Sequence, residues 1–429
     1  MKRSATSSHS SDDESKKDLE PIAKKSKNNF RYEYHFLDLP DDVLLHVCNL
    51  LSAFDKIALH LTCTRLSNLC CDRFLWKKID FRGKNLTVRT LKLYSKFILP
   101  ITKFLAIRGN TEIDAEFFDL LRQQSRDLKE FIVEDYIISQ QDIPITSFPK
   151  TLKLLSLKGC DVINRSPLLT TKYLSRIDSH MLNLSTLILS NCKWLNSHSF
   201  MIISKIQQLK EVRLNSCHGL KEDIAYTSIA CRCGMKNLEI LDLRDTFVGD
   251  SVITSFSLCP TLTEIYMENP SPESEPYHHE PPPEHREIFL IQLPRGPNIN
   301  QNNVAVNVGR VNDIDANRLM GYIRNNVDRS LITDRSVCSL GIQGRNPNIA
   351  INHLEEVQLA VGRSRETTNP NLQKLVVRNY PDVTNNSLTH LLHNAPKLVY
   401  LDVTGTSVTK QAVDNFRLQR PEVTLLSSF

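Results

Sequence analysis

Between Leu39 and Trp76 the hydrophobic positions fall into three short runs with helical spacing. In the first, Val43, Leu44, Val47, Leu50 and Leu51 follow the i, i+1, i+4, i+7, i+8 rule and so share one side of a helix. Pro40 suits the first turn, where its missing N–H is no loss, and Asp41 and Asp42 complement the positive end of the helix dipole. Ser52 and Ala53 interrupt the run, and Asp55 is a candidate cap for a second helix carrying Ile57, Ala58 and Leu61. A third helix carries Leu66, Leu69 and Cys70 before Asp72 opens a turn to Trp76. Helices this short expose more apolar surface than they can bury against one another, which predicts a small module with a face left for another protein.

After Trp76 the pattern becomes periodic. The segments Leu152, Leu155, Leu157, Cys160; Leu184, Leu187, Leu189, Cys192; and Leu209, Val212, Leu214, Cys217 align on L-x-x-L-x-L-x-x-C/N. Fainter copies centre on Ile79, Leu105, Phe131, Leu241, Ile265, Leu375 and Leu401, and another is placed at Leu354, Val357 and Leu359. Successive centres from Ile79 to Ile265 differ by 24 to 32 in residue number, around the period of a leucine-rich repeat. Each copy predicts one short strand, with its Leu-x-Leu pair in the core, and a return segment with helical apolar spacing such as Phe117, Leu120, Leu121 or Leu388, Leu391, Leu392. Stacked together, the copies predict an α/β solenoid with a parallel inner sheet, a helical outer face and a concave surface open to partners. Cys160, Cys192 and Cys217 take the turn position as small buried groups. Ligands spaced one repeat apart do not surround a point, and the pair Cys231 and Cys233 lacks a second pair, so neither a metal nor a cofactor is expected.

Leu39, Pro40, Asp41, Asp42, Val43, Leu44, Val47, Leu50, Leu51, Cys63, Leu75 and Trp76, in that order, resemble an F-box. Two positions depart from the family pattern: Cys48 stands where Phe is usual and Leu66 where Trp is usual. With repeats behind it, the chain is similar to the F-box/leucine-rich-repeat family from about Phe36 to Asn269 and from about His353 to Phe429. The resemblance implies a non-catalytic substrate receptor of an SCF-type ubiquitin ligase, docked on a Skp-type adaptor and, through it, on cullin and RING subunits. Leu39, Pro40, Val43, Leu44, Val47, Leu50, Leu51, Ile57 and Trp76 are the residues expected to contact the adaptor, since an apolar face laid in a groove uses anchors of this kind. The competing reading is an interaction scaffold whose F-box assembles no ligase.

For an unknown protein target, the strand positions two residues before the turn matter. Arg82, Arg108, Lys158, Asn215, Arg244 and Arg378 occupy that column, interrupted by Glu134 and Glu268. A mostly basic strip, with Lys158, Arg213, Arg244 and Arg378 as contact residues, would favour an acidic or phosphorylated segment.

Composition sets the frame around these modules. The 429 residues carry 41% hydrophobic and 24% charged side chains, as in globular proteins. A net charge of +5 is small for this length, so nucleic acid is not expected as a partner. No stretch of about eighteen apolar residues predicts a membrane span. Eleven cysteines at irregular spacing fit a reducing compartment, which places the protein inside the cell, in cytoplasm or nucleus. Residues 1–34 are rich in Ser, Lys and Asp and are expected to be disordered, with Lys24, Lys25 and Lys27 as a candidate nuclear import signal and Ser10 and Ser11 as candidate phosphorylation sites. The F-box is placed at 35–82, repeats at 83–270 and 351–429, and a mostly disordered Pro-, Glu- and Asn-rich insertion at 271–350, whose His278, His279 and His285 are read as solvated. No phosphate-binding loop, G-x-S-x-G or H-E-x-x-H occurs, so no catalytic residue is nominated.

Overall fold

The computed structural model describes residues 35–164, 173–222, 224–271, 331–342 and 369–429. It opens on three helices, α1 (Asp41–Leu50), α2 (Ala53–His60) and α3 (Thr64–Cys70), followed by a 3-10 turn over Arg73–Trp76. Pro40 is the extended residue immediately before α1 rather than its first turn. The cap of α2 is Ser52, not Asp55: the Ser52 hydroxyl accepts from the Asp55 N–H at 3.2 Å and donates to the Asp55 carboxylate at 2.7 Å. An acidic residue at the third helical position completes such a cap rather than forming it.

Eleven strands then build one parallel sheet in the order β1 (Lys78–Asp80), β2 (Phe104–Arg108), β3 (Glu130–Glu134), β5 (Leu154–Ser156), β7 (Thr186–Ile188), β8 (Glu211–Arg213), β9 (Ile240–Asp242), β10 (Glu264–Glu268), β11 (Lys374–Arg378), β12 (Tyr400–Asp402) and β13 (Thr424–Leu426). The register puts Ile79, Leu105, Phe131, Leu155, Leu187, Val212, Leu241, Ile265, Leu375, Leu401 and Leu425 in one row across the sheet. All are buried, as are the residues two further on, from Phe81 to Val403. Strand alternation sends the residues between them to the opposite, open face. Ten of these centres coincide with the repeat spacing; Leu425 is an eleventh that the sequence pattern does not reach. A second, two-stranded sheet of β4 (Ile137–Ser139) and β6 (Asp161–Ile163) lies after the turns of the third and fourth repeats.

The turns explain the cysteines. The chain reverses through a left-handed residue, at Asp135, Asn191, Ser216, Asp245 and Asn379 with φ between 55° and 61°, or at Gly159 and Gly405. Gly, Asn and Asp tolerate that region best. The next residue turns inward, where the thiols of Cys160, Cys192 and Cys217 donate to the carbonyls of Val133, Leu157 and Leu189 at 3.3, 3.1 and 3.0 Å. Burial pushes the Cys160 and Cys217 thiols up to about 12 and raises that of Cys192 as well. These are protonated packing groups.

Part of the span read as a mostly disordered insertion is ordered among the described residues. Residues 331–342 hold a helical turn, Asp334–Val337, with Ile332, Val337 and Leu340 buried. They are the return segment of the repeat that β10 opens, and β10 pairs directly with β11 over five residues. Val337, Leu340 and Ile342 therefore belong to that return segment rather than to a disordered insertion. A ladder of caps fixes it. Glu222 accepts from the N–H of Gly249 at 2.7 Å, Asp250 from that of Thr333 at 2.8 Å, Asp334 from that of Thr384 at 2.8 Å, and Asn385 from that of Thr409 at 2.8 Å. Each return segment thus satisfies the orphan N–H groups of the next. The copy placed at Leu354–Leu359, the histidines 278, 279 and 285, and the tail with Lys24, Lys25 and Lys27 lie outside the described residues.

The three-helix unit and the solenoid share one core. The Trp76 ring stacks on Phe97 at 4.4 Å between centroids, and Phe54 packs against Phe81 at 5.4 Å and Tyr94 at 6.1 Å. Trp76 Nε1 donates to the Cys70 carbonyl at 2.8 Å, and its own carbonyl accepts from Thr102 at 2.9 Å.

Candidate functional site

Helix α1 has two apolar stripes, not one. Leu44 and Cys48, four residues apart, are fully buried, whereas Val43 is 43% and Leu50 75% exposed. Pro40 is exposed and Leu39, Val47 and Leu51 are half-buried. Of the nine residues expected on the adaptor face, Leu44, Ile57 and Trp76 are instead core residues. The Leu44 side chain is buried within the three-helix unit, and those of Ile57 and Trp76 join the core that the unit shares with the first repeat. Leu61, 74% exposed, and Phe74, 50% exposed, are large apolar groups on the outside of the same unit that were not among those nine.

The two departures from the family pattern, Cys48 and Leu66, lie in this core and not on the exposed stripe. They pack beneath the face rather than on it. A residue that sequence reasoning passed over holds the face in place. Arg65 of α3 donates from Nε and Nη2 to the Asp41 carboxylate at 3.0 and 2.6 Å, from Nη2 to the Leu39 carbonyl at 2.9 Å, and from Nη1 to the Leu37 carbonyl. One guanidinium fork thereby fixes the Leu39-Pro40 segment against α3.

The open face of the sheet is charge-balanced. Its three outward positions per repeat carry Lys78, Arg82, Arg108, Lys158, Arg213, Arg244, Lys374 and Arg378, eight cations, against Asp80, Glu130, Glu134, Glu211, Asp242, Glu264, Glu268 and Asp402, eight carboxylates. Most of the arginines are already committed. Arg82 pairs with Asp80 at 2.7 Å and Glu134 at 3.3 Å, and Arg108 with Asp135 at 2.9 Å. Arg213 pairs with Glu211 at 2.5 Å, Arg244 with Asp242 at 2.6 Å, and Arg378 with Asp402 at 2.5 Å. The expected basic strip is therefore a row of ion pairs, because each arginine meets an aspartate or glutamate on its own strand, on the adjacent one or in the turn that follows it. Lys158 is exposed, with no carboxylate partner among the described residues. Between Tyr266 and Tyr400 the Lys374 ammonium lies 5.0 and 4.9 Å from the two ring centroids, an aromatic patch that the repeat consensus does not reveal.

The family model described as F-box-like matches residues 36–82. Those residues form an F-box-like domain. Its match ends at Arg82, two residues past the end of β1, so the F-box contributes the first strand of the solenoid as well as its helices. F-box/LRR-repeat protein 12 of Bos taurus is 27% identical over 140 residues, which cover 30% of this chain and 41% of that protein. The Homo sapiens protein of the same name is 27% identical over 139 residues, covering 29% of this chain and 40% of its own length. The chain thus spans about two fifths of the length of the curated relatives it matches. Among solved structures, the TLR13-ssRNA13 complex aligns with 80% of this chain and 38% of its own at 15% identity and a TM-score of 0.37. A yeast complex of Rad7 and Elc1 covers 90% and 92% at 12% identity and a TM-score of 0.34. Both are loose likenesses.

Among the described residues, no three His, Cys, Asp or Glu side chains come together as a metal site, and no helix is long and apolar enough to cross a membrane.

Proposed function

We propose that this chain is the substrate-recognition subunit of an SCF-type E3 ubiquitin ligase, acting inside the cell. The observation that carries the reading is the leftover stripe of the F-box. Val43, Leu50 and their half-buried neighbours Leu39, Val47 and Leu51 stay at the surface after Leu44, Cys48, Ile57 and Trp76 have closed the core. A Skp-type adaptor with a hydrophobic groove would cover that stripe, and a cullin and a RING subunit would follow from the adaptor.

In this role the chain performs no covalent step. The solenoid holds a target on the open face of its sheet, and the shared core around Trp76 and Phe97 keeps that target in fixed geometry relative to the adaptor. Holding a target lysine near a ubiquitin thioester replaces a bimolecular encounter with a local one. The row of ion pairs supports a mixed-charge target surface, with Tyr266, Tyr400 and Arg378 as its anchoring residues.

The test is co-purification with adaptor and cullin of the wild type, of a Val43→Asp, Leu50→Asp variant, and of a Leu39→Ala, Pro40→Ala variant. Both subunits should accompany the wild type and be lost from the variants while the repeats remain folded. Recovery of the adaptor without cullin, or of neither with any form, would favour a scaffold that assembles no ligase.

A further inference from the structure

An open cleft of about 800 Å³ lies where the F-box meets the solenoid, between the α1–α2 corner and β1. It is within the size range of ligand sites. Its charge is uneven, unlike the rest of the sheet face. Arg82 is held by Asp80 and Glu134, which leaves Lys56, Lys77 and Lys78 as a cationic surplus. Aromatic rings position the two exposed ones: the Lys77 ammonium sits 4.5 Å from the Phe74 centroid and that of Lys78 5.0 Å from Phe104. Lys56 is 95% removed from solvent, at 5% exposure. It donates a hydrogen bond to the Leu75 carbonyl at 3.2 Å.

The cleft also borders a free sheet edge. Among the described residues β1 is the first strand of the sheet and pairs only with β2. The Phe81 N–H donates to Ala106, so by strand alternation the N–H and C=O groups of Lys78 and Asp80 point the other way, along the cleft. An unpaired edge of this kind is a template for one more strand.

We propose that the cleft binds an extended acidic peptide segment of a partner protein, which adds to β1 as a twelfth strand of the main sheet while its carboxylates meet Lys77, Lys78 and Lys56. Main-chain hydrogen bonds to Lys78 and Asp80 set the register, and the lysines select for negative charge. The proposal goes beyond the ligase reading and is independent of it, since the binding is measured without adaptor.

The experiment uses the purified full-length chain and two fluorescein-labelled heptapeptides, one alternating Glu with Val and one alternating Lys with Val, followed by fluorescence anisotropy. The Glu peptide should bind at least tenfold more tightly than the Lys peptide at low salt, with the difference shrinking as ionic strength rises. Lys77→Glu, Lys78→Glu should abolish or reverse the preference. Asp80→Pro removes the edge N–H but none of the β1–β2 bonds, and should weaken Glu-peptide binding about tenfold, whereas Asp80→Asn should not. Thermal melts identify any variant that has lost its fold, and Lys78→Gln provides a milder form of the same charge test. Equal affinity for the two peptides overturns the proposal. So does unchanged binding by the folded charge-reversal variant, or the same loss in Asp80→Pro and Asp80→Asn. In those cases the lysines serve only to keep β1 from pairing with other chains.

Discussion

Replacing Trp76 by Ala tests whether the F-box and the solenoid are one mechanical unit. The ring is 1% exposed, stacked on Phe97 at 4.4 Å, and hydrogen-bonded to the Cys70 carbonyl at 2.8 Å. Truncating a buried Trp costs about 3–5 kcal/mol through lost burial and the cavity left behind. The stacked pair contributes about 1 kcal/mol, and an unsatisfied Cys70 carbonyl about 1–3 kcal/mol. These contributions overlap, so we expect a total of about 4–5 kcal/mol, placed almost wholly at the junction because each repeat contacts only its neighbours. Hydrogen exchange read by mass spectrometry is the appropriate assay, since it reports opening locally. Amides of α1–α3 should exchange about a thousandfold faster, following the tenfold per 1.4 kcal/mol rule, while β7 to β13 keep their protection. Leu50→Ala is the control: at 75% exposure it should change stability by less than about 0.5 kcal/mol. Acceleration of less than tenfold in α1–α3, or equal acceleration out to β13, would refute a junction pinned by this ring.

Three further expectations follow from single groups. Asp334→Ala removes the acceptor for the Thr384 N–H and for the hydroxyls of Thr384 at 2.5 Å and Ser387 at 2.6 Å. It should cost about 2–3 kcal/mol, visible as earlier urea unfolding of the last repeats. For Asp402, burial raises the carboxyl but donors from Arg378 and Thr404 outweigh it and leave the pKa below the ordinary 3.8. A lowered folded pKa gives stability that is present above the unfolded value and lost as pH falls through the folded one. Asp402→Asn should therefore be less stable at pH 7 and decline less steeply below about pH 4 in acid titration followed by circular dichroism. Thiol labelling at pH 8 should modify the exposed Cys71 in the native chain and leave Cys160, Cys192 and Cys217 untouched until denaturant is added. Early reaction of any of these three would show that the turns open readily.

Ten strand centres were legible because a Leu-x-Leu pair two residues apart has one reading in a parallel stack. The eleventh, Leu425, has Glu422 and Ser427 at the flanking positions where the motif carries apolar residues. The helical turn Asp334–Val337 was hidden for a different reason: its buried Ile332, Val337 and Leu340 are too few to show a period, and only the caps offered by Asp250 and Asp334 reveal its place. On the F-box, Val43 and Leu44 are adjacent apolar residues 100° apart, so spacing alone could not say which faces in; the buried Cys48, one turn beyond Leu44, decides it. The ion pairs were present in the sequence as Asp80-Phe81-Arg82 and Asp242-Leu243-Arg244, where residues i and i+2 share a strand face. Reading one column at a time concealed them, and Arg378 with Asp402 needed the neighbouring strand.

A surface whose cations and carboxylates alternate at contact distance casts almost no field beyond the Debye length of about 8 Å at physiological salt. Molecules drifting past would feel no pull toward the sheet from afar, so discrimination would happen after touch, in how long a partner stays rather than how fast it arrives. Arrival rates at such a face should be nearly indifferent to added salt, and variants there should differ chiefly in how quickly the complex falls apart.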